Sequence, residues 1–362
     1  MNYSDLRPIL FKLPPETAHN LAEFAMRSLE VAAPSALGFL ANKYAYYGEV
    51  LSGAEFRTTL SQQIFGRVFP TPIGVAAGFD KNAVMIRPLA ALGFGFIEVG
   101  TMTPKSQKGN PKPRLWRHVA QNSLQNAMGF NNDGAAKIAK RLEKIAPFAL
   151  PIGANLGKNK TTPNENAIAD YEKCLIAAQD HADYIAFNLS SPNTPNLRAL
   201  QSAEFARELF AMARSRTAKP LALKIAPDLE IAEALAISAA AIESGATALI
   251  VANTTNDYSL IADSGKNGGG LSGGVLTEKS REFFARVARE FFGKAVLISS
   301  GGIMSAEEAF LRVKLGASLA QCYTGFIYGG FGFAAGISRG VENLMRQEGF
   351  GAIGEAVGAA IK

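Results

Sequence analysis

Eight short, Gly-bounded apolar runs, most of them followed by a helical pattern, constrain this chain more than any other feature. They span 73–78, 94–100, 151–157, 184–189, 221–226, 248–253, 295–302 and 319–325. Helical periodicity fills the gaps, as over 229–244 and 305–315. Near-continuous apolar strands alternating with helices predict a parallel sheet covered on both faces. Eight such units predict a (β/α)8 barrel of the TIM type more readily than an open sheet. Residues 55–72, with Phe56, Ile64 and Phe69, read as extra strands closing the bottom of the barrel. The insertion over 101–150 is too long for a plain strand-to-helix loop and is expected on the face that carries chemistry.

The chain has 362 residues, long for one ordinary domain but within range for a barrel with an extension. Residues 1–50 read as a small amphipathic helical extension and 51–362 as the barrel. Leu6, Ile9, Leu10 and Leu13 recur at helical spacing, with Arg7 and Lys12 flanking. Pro14 and Pro15 stop that helix, and Pro15-Glu16 starts a second in which Leu21, Phe24, Ala25, Ser28 and Leu29 share a face. A short segment over 34–40 and an aromatic cluster, Tyr44, Tyr46 and Tyr47, follow. Two readings stay open for these helices. They pack their apolar faces on the barrel, or they form a hairpin that dips into a membrane interface and admits an apolar ligand.

Composition narrows the function. A net charge of +6 suits an anionic substrate or an anionic membrane surface. There is no dense Lys/Arg run, so nucleic acid is not an expected partner. Cys174 and Cys322 lie far apart, and with only three histidines a metal site is not expected. No apolar stretch reaches the roughly 18 residues of a spanning helix, and the N-terminus lacks the pattern of a secretory signal.

In a barrel of this kind chemistry sits at the C-terminal ends of the strands. There the chain places Ala77, Gly78 and Lys81; Gly100 and Thr101; Asn155; then Asn188, Ser190, Ser191 and Asn193. Lys224, Asn253, Thr254, a Gly-rich stretch over 268–274, Gly301, Gly302, Tyr323 and Thr324 complete the set. Each has an ordinary structural reading: Ser/Asn loops are commonly turns, and paired glycines commonly bends. Together they make a mouth of amides, hydroxyls and lysines almost without carboxylates, suited to a flat, polar, anionic ligand. Glycines ending the last two strands let backbone N–H groups approach a phosphate. Lys81 and Lys224 can stabilise negative charge developing on a ring. Adjacent strand residues point opposite ways, so only one of Ser190 and Ser191 is expected to face a substrate.

The motifs Ala76-Ala-Gly-Phe-Asp-Lys-Asn82, Gly109-Asn-Pro-Lys-Pro-Arg114, Met128-Gly-Phe-Asn-Asn132, Asn188-Leu-Ser-Ser-Pro-Asn-Thr-Pro195, Lys224-Ile-Ala-Pro-Asp228 and Gly269-Gly-Leu-Ser-Gly273 resemble those of the dihydroorotate dehydrogenases. With the helical extension, the pattern is similar to the class 2, membrane-associated, quinone-reducing branch. Soluble class 1 enzymes lack the extension and use cysteine where this chain has Ser191.

The resemblance implies FMN in the barrel mouth and oxidation of dihydroorotate to orotate in pyrimidine synthesis. It implies Ser191 as catalytic base. For FMN it implies Ala77, Gly78, Lys81, Thr101, Asn155, Asn188, Lys224, Ala252, Gly273, Gly302, Tyr323 and Thr324. For substrate it implies Lys81, Asn126, Ala127, Met128, Gly129, Phe130, Asn188, Asn193, Asn253 and Thr254. A membrane quinone would arrive along a tunnel involving His19, Phe24, Arg114 and Tyr323, with peripheral attachment to the cytoplasmic face of a bacterial inner membrane. Three places depart from the usual pattern. Ala252 stands where relatives have threonine, Ser299-Ser-Gly-Gly302 replaces a more apolar Gly-Val-Gly-Gly type, and Ala127 stands for a larger residue. Two other functions stay open: an FMN barrel enzyme acting on a pyrimidine-like ring with a soluble acceptor, and an inert barrel scaffold at a membrane surface.

Overall fold

The computed structural model describes residues 3–32, 34–44 and 58–361. Tyr46, Tyr47, Phe56 and the expected boundary between 50 and 51 lie outside the described residues. The strands in chain order are β1 Gln62–Ile64, β2 Arg67–Phe69, β3 Ile73–Val75, β4 Phe96–Met102, β5 Leu115–His118, β6 Ser123–Asn126 and β7 Ile152–Leu156. They continue as β8 Tyr184–Asn188, β9 Leu221–Ile225, β10 Ala248–Val251, β11 Gly270–Gly273, β12 Val296–Ser300 and β13 Leu319–Cys322. The helices are α1 Tyr3–Leu10, α2 Pro15–Ala32, α3 Pro34–Tyr44, α4 Ile86–Ala91, α5 Ala135–Ile145, α6 Ala167–Ala178 and α7 Ala203–Arg216. After these come α8 Ile231–Glu243, α9 Thr277–Phe291, α10 Ala306–Lys314, α11 Thr324–Gly329, α12 Phe333–Gln347 and α13 Ile353–Ala356.

Each of the eight apolar runs forms one strand of a closed barrel, with β4 running two residues past its run, in the order β3-β4-β7-β8-β9-β10-β12-β13. Neighbouring barrel strands are parallel throughout. The runs are apolar on both faces because both are buried. Outward residues such as Ile97, Val99, Phe187, Leu223 and Leu249 pack with the helices in one cluster. Inward residues Phe96, Tyr184, Ile250, Ile298 and Leu319 form a second. The interior is filled by pairing large side chains with glycine. A Cβ on Gly74 would lie 2.3 Å from the Phe96 ring, and one on Gly153 would lie 2.2 Å from Tyr184 Cζ.

The expected closure of the barrel floor is an antiparallel hairpin of β1 and β2. Its two-residue turn needs positive φ at both positions, met by Phe65 at 55° and Gly66 at 73°. Ile64 and Phe69 then plug the interior cluster from below. At the opposite end, the insertion after β4 contributes β5 and β6, which pair with β11 in a three-stranded antiparallel sheet. The sequence reading put this insertion on the chemical face but did not foresee that the Gly-rich stretch would be its third strand.

Among the described residues the extension holds three helices rather than two. Of the apolar face of α2, Leu21 and Phe24 are 50% and 70% exposed, whereas Met26 beside it is buried. Tyr3 and Arg7 donate to the carbonyls of Ile327 and Tyr328 at 2.6 and 3.1 Å, tying α1 to α11. Arg117 stacks on Phe11 at 4.5 Å and donates to the Leu13 carbonyl at 2.8 Å. Arg114 grips Glu16 with Nη2 and Nε, at 2.6 and 3.3 Å, joining α2 to the insertion.

Candidate active site

The C-terminal ends of the barrel strands open into a cavity of about 1080 Å³. Ser191 lines it, as do Ala77, Gly78, Lys81, Thr101, Asn188, Lys224, Gly273, Gly302, Tyr323 and Thr324 of the expected cofactor set. From the expected substrate set, Asn126, Met128, Gly129, Phe130, Asn193, Asn253 and Thr254 line the same space. Asn155, Ala252 and Ala127 are set back from the wall. Asn155 and Ala252 are fully buried. The Ala127 amide and carbonyl are held by the Arg114 carbonyl and the Asn110 side chain, at 2.8 and 3.0 Å.

Asn155 acts through its neighbours. Thr101 Oγ1 donates to Asn155 Oδ1 at 2.5 Å, and Asn188 Nδ2 donates to Thr101 Oγ1 at 3.0 Å. The other end of the Asn155 amide donates to Glu98 Oε1 at 2.9 Å. Tyr184 and Gln321 both donate to Glu98 Oε2, at 2.9 and 2.7 Å. Glu98 is therefore a fully buried carboxylate taking three donors beneath the cavity. An acceptor-only group at that point sets which way the Asn155 amide faces, and hence Thr101 and Asn188. The sequence reading missed it.

The two serines are separated as the strand geometry requires. Ser190 is fully buried and receives Asn253 Nδ2 at 2.8 Å while donating to Asn188 Oδ1 at 3.0 Å. Ser191 faces the cavity, and its Oγ accepts the Asn193 backbone N–H at 3.2 Å. Arg198 fastens this loop from outside. Its Nε donates to the Ser190 carbonyl at 3.0 Å, Nη2 to the Thr254 carbonyl at 2.9 Å, and Nη1 to Asp228 at 2.8 Å.

Two lysines, Lys81 and Lys224, line the cavity. Burial lowers Lys81 to about 8; Glu16 opposes that shift and Arg114 adds to it. Its Nζ donates to the Gly78 carbonyl at 2.6 Å. Asp80 holds the same loop by accepting the backbone amides of Asn82, Val84 and Met85, at 3.2, 3.0 and 2.7 Å. Burial also lowers Lys224, and Glu98 offsets part of that shift. Two buried acceptors in the cavity wall, Asn193 Oδ1 and Gln321 Oε1, lack a donor among the described residues. They fit a ligand that brings N–H groups.

A second cavity of about 730 Å³ lies between the extension and the barrel. Leu10, Phe11, Ala18, His19, Ala22 and Met26 line it from the extension, and Phe79, Phe326 and Ile327 from the barrel. Leu115, Leu124 and Tyr323 line both cavities and form the partition between them. His19 packs edge-on against Phe79 at 5.1 Å, and burial lowers it to about 3, so it is neutral near pH 7. Of the four residues expected along the tunnel, His19 and Tyr323 meet here. Arg114 instead braces Glu16, and Phe24 lies on the outer side of α2.

The chain matches the family described as "Dihydroorotate dehydrogenase" over residues 59–345. It is 49% identical over 362 residues to "Dihydroorotate dehydrogenase (quinone)" of Nitratiruptor sp., with 100% of both chains covered. A protein of the same name from Helicobacter acinonychis is 48% identical over 365 residues, again covering 100% of both. Among solved structures, DHODH from Eimeria tenella in complex with ferulenol has a TM-score of 0.82 at 34% identity. That match covers 97% of this chain and 98% of the other.

Proposed function

The chain belongs to the dihydroorotate dehydrogenase family, and we propose that its barrel mouth oxidises dihydroorotate to orotate on FMN and passes the electrons to a quinone held in the second cavity. The observation that carries this reading is the partition. One wall, Leu115, Leu124 and Tyr323, separates a polar cationic cavity from an apolar one.

The residues of the first cavity fit FMN. Gln321 Oε1 is a buried acceptor with no donor among the described residues, and the Gly302 turn admits no side chain, since a Cβ there would lie 2.4 Å from Thr277 Cα. Lys224 would sit by the flavin ring and Gly302 by the phosphate. When bound, FMN supplies an acceptor for the hydride that leaves the substrate. The chain's own part is the proton. Ser191 Oγ takes it from the ring carbon beside the carbonyl as it releases its own hydroxyl proton to solvent water, and the Asn193 N–H holds that oxygen in place. Lys81, with the amides of Asn126, Asn193 and Asn253, orients the substrate and balances its charge without acting as a competing base.

The extension suits an apolar partner. Ile9, Phe24, Val31 and Phe39 are 61%, 70%, 83% and 65% exposed on α1 to α3. No helix among the described residues is long and apolar enough to cross a membrane. Attachment is therefore proposed to be peripheral, with these side chains in the interface of the cytoplasmic membrane and the second cavity open to its quinone.

An anaerobic spectrum tests the reading. The purified protein should show oxidised flavin, bleach with dihydroorotate, and recover on addition of a quinone analogue. Recovery with fumarate or NAD but not with quinone would assign a soluble acceptor instead; absence of bleaching would reject dihydroorotate. Ala18→Trp should fill the second cavity, slowing recovery by a long-tailed quinone while leaving bleaching intact. Slowing of both steps alike would sink the two-cavity division.

Lys81 predicts a pH dependence. Its ammonium keeps its proton below about 8 and loses it as the pH rises past that value, because burial disfavours the charged form. Glu16, Asp80 and Glu23 nearby favour the charge and Arg114 opposes it. Only the cation attracts an anionic substrate, so kcat/KM for dihydroorotate should decline on the alkaline side of about 8. Lys81→Arg should flatten that limb, and an unaltered alkaline limb would remove Lys81 from substrate binding.

A further inference from the structure

Arg312 is the largest of the fully buried side chains, lies on α10 outside the cavity, and has no part in the chemistry above. All three nitrogens of its guanidinium donate. Nε donates to Glu308 at 2.6 Å and Nη1 to Ser299 Oγ at 3.0 Å. Nη2 donates to the Thr277 carbonyl and to Ser280 Oγ, both at 2.9 Å, and approaches the Gly301 carbonyl at 3.5 Å. Ser280 Oγ reaches the same Gly301 carbonyl at 2.9 Å, and Thr277 Oγ1 donates to the Gly302 carbonyl at 2.7 Å.

These contacts turn both glycine carbonyls away from the cavity. In a planar trans peptide the N–H points opposite to the C=O, so the amides of Gly302 and Ile303 are turned toward it. Neither amide has a backbone acceptor among the described residues. Gly301 and Gly302 hold φ of 93° and 71°, a left-handed turn that glycine adopts without strain. Glu308 is shared by Arg312 and Arg281, so two cations and one anion stand behind the turn.

We propose that Arg312 is a positioning residue for the cofactor phosphate, acting from behind the barrel by locking the Gly301–Gly302 turn with its amides presented to the cavity. The proposal rests on the reading that FMN occupies this mouth. It also explains a departure in the sequence. Where the family resemblance leads one to expect a more apolar Gly-Val-Gly-Gly type, Ser299 supplies an acceptor for Nη1 that neither a glycine nor a valine side chain has.

The test compares two flavins that differ only in the phosphate. The full chain, freed of flavin, is titrated with FMN and with riboflavin by quenching of flavin fluorescence. Wild type should prefer FMN. Arg312→Met should weaken FMN by about tenfold or more, the loss expected of buried charge-assisted hydrogen bonds, and leave riboflavin unchanged. Ser299→Ala, which keeps the ion pair, should lower the FMN-to-riboflavin preference in the same direction by less, and it serves alone if Arg312→Met does not fold. Equal weakening of both flavins in the variants would mean a general structural role and overturn the proposal, as would an unchanged preference. If wild type binds neither flavin, the cofactor reading itself fails. If it binds both equally, the phosphate does not use this turn.

Discussion

Ser191→Ala should slow reduction of the bound flavin by dihydroorotate about 10²–10⁴-fold, the range expected when a positioned proton acceptor is removed. Binding should change little, because the other residues proposed to hold the substrate, Lys81, Asn126, Asn193 and Asn253, remain in place. The physical case rests on the separation of the two serines. Ser190 Oγ is spoken for by Asn188 and Asn253, and its carbonyl by Arg198. Ser191 Oγ meets one backbone N–H and otherwise faces the cavity. Ser190→Ala should instead disturb the loop and weaken substrate binding, through loss of its Asn253 partner. Stopped-flow absorbance under anaerobic conditions separates the two. Near-wild-type flavin reduction in Ser191→Ala would end its assignment as base.

Glu98→Leu should destabilise the fold by about 3–5 kcal/mol, since it strands buried donors and a buried cation together. Asn155, Tyr184 and Gln321 each lose their acceptor, and Lys224 loses the charge that offsets its burial. Glu98→Gln keeps the shape and one acceptor oxygen, so it should cost less. Its amide group nevertheless meets donors already aimed at that position, and the Asn155 amide is then free to reverse. Urea unfolding measures the first effect, and flavin affinity the second. A leucine variant as stable as wild type would show that this carboxylate anchors nothing.

The eight strands and the residues at their ends were legible in the sequence because both depend on short-range order. Apolar runs closed by turn residues mark strands locally, and motif residues such as Lys81, Ser191 and Lys224 leave those strands at fixed positions. Period two also carried a signal that went unread: Glu98 is in phase with Phe96, an interior residue, and so had to point into the barrel.

What the tertiary structure decided are matters of which surfaces meet. The sequence left open whether the α2 face of Leu21 and Phe24 packs on the barrel; both stay exposed, and Ala18, His19 and Met26 line the second cavity. The strands β5, β6 and β11 are four residues each and lack alternation, so they exist only because the insertion and the Gly-rich stretch, far apart in the chain, pair over the mouth. Arg312 looks in sequence like any cation in the last turn of a helix. Only folding buries it against Ser299, Thr277 and Ser280, drawn from two other elements. Periodicity is a property of neighbours along the chain, whereas these contacts join residues brought together by closure of the barrel, and so are set by the fold as a whole.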